Sequence, residues 1–200
     1  FIADPMVLVV NDQQPFKTLK EFTGAAKAKP NDLIFSSSGL HGALHLPMAL
    51  FLKSAALDLK HLPTNGGGPA LTALLGNNSQ ALCSSIAAAN VHLRSGKVRA
   101  LASFGGQRSP ALPDVPTLKE LGYDIEFYLW VGLFAPKGTP DNVITTMRQA
   151  SKQVAADDKF VQAMKNLGQD VAYLDQPEFK TFWDADAKRV QDAVRAIGKV

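Results

Sequence analysis

Leu33-Ile34-Phe35-Ser36-Ser37-Ser38-Gly39-Leu40-His41-Gly42 is the stretch on which the fold turns. Leu33 to Phe35 are apolar and β-favouring, so the stretch reads as a buried strand stopped by three serines. Gly39 and Gly42 allow the backbone to turn tightly and to approach a ligand closely. A helix is expected to follow, from Ala43 to about Ala55. Its first N–H groups have no partner inside the helix, and the helix dipole favours negative charge beside them. Strand, Ser/Gly loop and helix start together make a seat for an anion. The same pattern also describes an ordinary βα turn whose serines cap the helix.

The next unit downstream repeats this order. Leu59 to Leu62 reads as a short strand, and Pro63-Thr64-Asn65-Gly66-Gly67-Gly68 as a loop too glycine-rich for regular structure. Pro69 then opens a short helix that Gly76 closes. Two such loops in adjacent βα units fall along one edge of a sheet, because parallel strands share the direction of their C-terminal ends. Further strands are expected over Gln80–Ser84 and Val98–Phe104, with a helix over Ile86–Arg94 between them.

Upstream, Met6-Val7-Leu8-Val9-Val10 is a continuous apolar run, the pattern of a strand covered on both faces. Thr18 and Glu21 form a capping-box pair for a helix to about Lys29. Thr117 and Glu120 repeat that box for a short helix ending at Gly122. Glu126 to Phe134 reads as extended. Thr139 as cap and Pro140 at the first position signal another helix, and Asp157-Asp158 the next. Val171 to Leu174 reads as a strand, and Asp175 with Glu178 opens a last helix to about Ile197. The alternation of strands and helices predicts an α/β fold with a parallel or mixed sheet flanked by helices. Composition shifts near Asn11–Gln14 and Phe127–Pro136 mark crossings between two lobes.

The 200 residues can bury a real core. A net charge of +3 suits an anionic ligand, but the basic residues are scattered and do not make a nucleic-acid surface. The single cysteine, Cys83, lies in an apolar run and reads as a buried structural thiol. No apolar run approaches the roughly 20 residues that span a bilayer. The chain opens on Phe1 with a strand almost at once, and a preceding segment is expected.

Reactive chemistry is sparse. Of His41, His45, His61 and His92, only the first two have metal-like spacing, and no third ligand accompanies them. No G-x-S-x-G elbow, phosphate loop or G-x-G-x-x-G spacing occurs. Ser36–Ser38 could hold a nucleophile only with His41 or His45 as base, and no acid is placed to orient either. Binding is favoured over catalysis, with no cofactor and no metal.

His61-Leu62-Pro63-Thr64-Asn65-Gly66-Gly67-Gly68-Pro69-Ala70-Leu71-Thr72 resembles a segment of the tripartite tricarboxylate transporter substrate-binding receptors, the Bug family. So do Ser95-Gly96-Lys97-Val98-Arg99-Ala100-Leu101-Ala102, the block Leu112-Pro113-Asp114-Val115-Pro116-Thr117-Leu118, and Trp130-Val131-Gly132-Leu133-Phe134-Ala135-Pro136. The resemblance implies a two-lobed, type II periplasmic-binding-protein-like fold. Residues 1–12 and 127–200 would form lobe 1, lacking its opening units, and residues 13–126 would form lobe 2. It implies a periplasmic receptor that binds a small organic carboxylate and delivers it to membrane permease subunits. A signal peptide would belong to the preceding segment.

Carried over by position, the carboxylate loop is Ser37, Ser38, Gly39, His41 and Gly42, and the second contact loop is Thr64, Asn65 and Gly66. Thr64 and Asn65 stand where the family has tyrosine and lysine, so an aromatic wall and a charge are gone. Gln80 stands where an aspartate is frequent, which points away from amino-acid ligands. Trp130 either lines the cleft or packs the hinge. Two other classes remain open: the ligand-sensing domain of a signalling or regulatory protein, and a serine hydrolase.

Overall fold

The structure is a computed structural model that describes residues 3–198. Five strands form one sheet in the order β3-β2-β4-β1-β5. They are β1 (Ala3–Asn11), β2 (Ile34–Ser37), β3 (Lys60–Pro63), β4 (Ala81–Ser85) and β5 (Val98–Ser103). β2 runs parallel to β3 and β4, while β1 is antiparallel to β4 and β5 on either side. The sheet is therefore mixed, with one reversed strand near its centre. Met6 to Val10 are wholly buried, as a continuous apolar run requires when both faces are covered.

Helices α1 (Leu19–Ala28), α2 (Leu46–Ser54), α3 (Gly67–Leu75) and α4 (Ile86–Arg94) follow β1 to β4 in turn. Ser36 Oγ donates to the Ala70 carbonyl of α3, whereas the neighbouring Phe35 ring lies against His45 at the foot of α2. Adjacent strand residues point to opposite faces, so α2 and α3 cover opposite sides of the sheet. After β5 the chain forms a loop, the short strand β6 (Tyr128–Trp130), and helices α5 (Asp141–Ala156), α6 (Asp158–Asn166) and α7 (Gln176–Ile197). Val190, Val194 and Ile197 of α7 pack against the core.

Several expected boundaries move. The serines do not stop β2, since Ser36 and Ser37 continue it with their hydroxyls satisfied inside the fold. Helix α2 starts at Leu46 rather than Ala43. Gly39 (φ 118°) and His41 (φ 58°) take positive φ and interrupt any right-handed turn before it. Conversely, α3 begins inside the glycine run: Gly66 (φ 118°) is its cap, and Gly67 and Gly68 are helical because the segment packs on β2, β4 and β1. The capping box at Thr18 and Glu21 forms. The second box, Thr117 with Glu120, makes both its hydrogen bonds but closes only a turn, ended by Gly122 at φ 90°. Pro140 rather than Thr139 caps α5, because the Thr139 hydroxyl donates to the Pro136 carbonyl. Val171–Leu174 takes no more than an isolated bridge at Val171.

β1 belongs to two pairings. Met6–Asn11 register with β4 and β5, while Ala3–Pro5 register with β6. The change of partner falls between Pro5 and Met6. The Met6 amide donates to the Phe127 carbonyl, and the Phe104 amide to the Met6 carbonyl, so these three segments lie side by side.

Candidate functional site

β2, β3 and β4 are parallel, so Ser37, Pro63 and Ser85 end at the same edge of the sheet. The loops that leave β2 and β3 are tied together there. The Thr64 amide and hydroxyl both donate to the Ser37 carbonyl, each at 2.9 Å. The same hydroxyl lies 2.8 Å from the Gly66 carbonyl. A side chain at Gly39 would face the Thr64 carbonyl at 3.7 Å. Ser37, Ser38, Gly39, His41, Gly42, Thr64, Asn65 and Gly66 thus form one polar rim.

Within the rim the roles divide. Ser37 is fully buried and supports the loop: its hydroxyl accepts from the Gly39 amide at 3.2 Å and lies 2.7 Å from His61 Nε2. Ser38, Gly39, Gly42, Thr64 and Gly66 keep partial exposure and form the accessible surface, with His41 and Asn65 more exposed. Gly42 is held by its amide donating to the Gly39 carbonyl.

His61 was not a candidate from its spacing, yet it is central here. It pairs in register with Phe35, stacks on that ring at 4.7 Å, and so stands beneath Ser37 two residues on. Only the strand register brings them together. His45 lies 4.5 Å from the His61 ring and accepts the His41 amide at Nδ1. Burial lowers both pKa values, that of His45 to about 4, with His61 and His41 adding repulsion. Both rings are uncharged near neutral pH. Among the described residues no group of three or more histidine, cysteine or acidic side chains is placed to hold a metal ion. Cys83 is buried in β4, and burial pushes its thiol pKa up.

Two expected contacts lie elsewhere. Gln80 sits at the other end of β4, where its side chain accepts the Ile34 amide and donates to the Asn77 carbonyl. It stitches the start of β2 to β4, one strand length from the rim. Trp130 pairs with Ala3 and packs edge-on against Phe179, Phe182 and Trp183 of α7, while its Nε1 donates to Asp186. It also lines a cavity of about 280 Å³ with Glu126, Tyr128, Phe182, Asp186 and Arg189.

A larger cavity, about 500 Å³, shares Glu126 and Tyr128 with the first and lies where β1 changes partners. Asp4, Gly105–Pro110 and Gly168–Asp170 complete it. Asp4 is buried, accepts the Gln169 side chain and the Ala87 amide at the start of α4, and has its pKa raised by burial. Neither cavity is lined by the Ser37–Gly42 or Thr64–Gly66 loops. The rim has the chemistry of an anion seat; the cavities belong to the crossing.

Residues 1–199 match the family described as "Tripartite tricarboxylate transporter family receptor". A protein from the tcbD–tcbE intergenic region of Pseudomonas sp. (strain P51) is 35% identical over 167 residues, 82% of this chain and 49% of that protein. The protein BugT of Bordetella pertussis is 31% identical over 196 residues, 97% of this chain and 60% of its own length. The chain thus spans about half to three fifths of these relatives. Among solved structures, MatC from Rhodopseudomonas palustris with bound malate superposes with a TM-score of 0.89 at 28% identity, covering 96% of this chain and 67% of that one. No described helix is long and apolar enough to cross a membrane.

Proposed function

Because the chain belongs to the tripartite tricarboxylate transporter receptor family, we propose that it binds a small organic carboxylate and presents it to membrane permease subunits outside the cytoplasm. The observation that carries this reading is the joined rim of β2 and β3, in which Thr64 holds Ser37 by two hydrogen bonds. The rim offers amides, hydroxyls and glycine-bounded turns at the carboxy ends of parallel strands, a surface suited to a carboxylate. Malate bound to MatC supports a carboxylate as the ligand class. The ligand would sit between two lobes, one built on the five-stranded sheet and one on β6 with α5 to α7, and β1 would run through both. Contacts from both lobes would favour a closed state, so that binding shifts the population toward closure.

A serine hydrolase reading has one point in its favour, the 2.7 Å Ser37–His61 pair. Against it, Ser37 is wholly buried, and no carboxylate orients His61 among the described residues. The protein is therefore a receptor and not an enzyme in this reading.

The test is a thermal-shift panel of mono-, di- and tricarboxylic, aromatic and amino acids on the protein at its full encoded length. A ligand that binds only the folded state adds about 2.7 kcal/mol at a hundredfold excess over its Kd. A rise in Tm with one carboxylate class supports the receptor. No rise with any carboxylate, or ester turnover lost in Ser37→Ala, overturns it.

A further inference from the structure

Among the described residues the loops of the rim carry no lysine or arginine. Residues 33–52 and 61–93, which span the β2, β3 and β4 loops, contain no lysine or arginine. Lys60 precedes His61 on β3 and points to the other face. The side chains of these loops that can become positive are His41, His45 and His61, and they are clustered: ring centroids of His41 and His45 lie 5.8 Å apart, and those of His45 and His61 4.5 Å. His61 bonds a serine of the loop, Ser37 Oγ at 2.7 Å, and Ser37 Oγ accepts the Gly39 amide in turn.

We propose that carboxylate capture at this rim is coupled to uptake of one proton by His61, which then acts as a positioning cation behind Ser37. The inference rests on the carboxylate reading above. In the uncharged ring Nε2–H donates to Ser37 Oγ, and Nδ1 carries the lone pair, with no hydrogen-bond partner among the described residues. A proton from solvent adds to Nδ1; no other bond forms or breaks. Nε2–H keeps donating to Ser37 Oγ, and the Ser37 hydroxyl donates to the Gly39 carbonyl, 3.2 Å away. The charge stands one hydroxyl behind the amides that meet the ligand. An anion there stabilises the protonated ring, so its pKa rises on binding.

The groups facing His61 limit the event to one proton. Phe35 stacks on the ring and His45 lies beside both, with His41 beyond it; no acidic side chain lies against either histidine ring among the described residues. His45 is fully buried and its Nδ1 is occupied by the His41 amide, so it stays neutral and the proton goes to the half-buried His61. Affinity therefore rises as pH falls. It levels off below the pKa of the free protein's His61 and above that of the complex.

Calorimetric titration of the full-length protein with malate, adipate and benzoate at about pH 6 and about pH 8, in two buffers of different ionisation heat, tests this. The expected result is tighter binding at the lower pH, by up to about tenfold per unit. Buffer-dependent heat should show proton uptake. His61→Gln should remove the slope and the uptake, whereas the remote His92→Gln keeps both; thermal melts confirm that the variants fold. Equal affinity at both pH values without buffer-dependent heat overturns the coupling alone, as does a slope that survives His61→Gln. Absence of binding by every carboxylate at both pH values overturns the carboxylate reading and this inference with it.

Discussion

Gly42 has no room for a side chain: a Cβ there would meet Ser38 Oγ at 2.9 Å and the Gly39 carbonyl at 3.2 Å. The second is backbone and cannot rotate away. Gly42→Ala should therefore distort the rim and cost about 1–3 kcal/mol in urea melts, with weakened carboxylate binding. Unchanged stability and affinity would show that the loop is softer than its packing indicates. His45 is one residue through which acid acts on the fold. An unfolded chain protonates this ring near pH 6.5. The folded one, whose burial and histidine neighbours hold the pKa at about 4, does so only later. Between those values the unfolded state carries more protons, so stability is intact above about pH 6.5 and declines as pH falls toward 4. The slope is at most about 1.4 kcal/mol per unit. Urea melts at several pH values should show the decline, and His45→Asn should reduce it; a wild-type profile level across that window would contradict the burial.

At the scale of the element, α3 separates two roles of glycine. Gly66 holds φ at 118° as the cap, a conformation costly to any other residue, while Gly68 lies in the first turn with open space where a Cβ would go. Gly68→Ala should stabilise the protein by about 0.5–1 kcal/mol and Gly66→Ala should destabilise it. Opposite signs in chemical denaturation would place the helix start elsewhere. The Thr18–Glu21 box was readable in advance because its atoms are three residues apart, and Thr18→Ala should cost about 1 kcal/mol. The Thr117–Glu120 box was equally readable, but it does not extend into a helix. Local hydrogen bonds start a turn, and packing decides whether it continues.

For the whole molecule, β1 is the shared member, since its first three residues pair with β6 and the remainder with β4 and β5. If the two parts close on a ligand, small-angle scattering should give a smaller radius of gyration at saturating carboxylate than without it. An unchanged radius with bound ligand would count against closure. By itself the sequence determined the α/β class and the capping signals, and it picked out the loop Ser37–Gly42 as a candidate. These depend on hydrophobic period, on short-range hydrogen bonds and on motif resemblance, all carried by residues close in the chain. It placed Gln80 in the site by position in a motif, yet the strand carries Gln80 to the far edge of the sheet. What only the tertiary structure decided was the reversal of β1, the tie from Thr64 to Ser37 and the seat of His61 beneath Ser37. Each depends on strand order and register, which bring together residues 24 or more positions apart. No local pattern encodes that pairing, because a one-residue slip would turn every side chain to the opposite face.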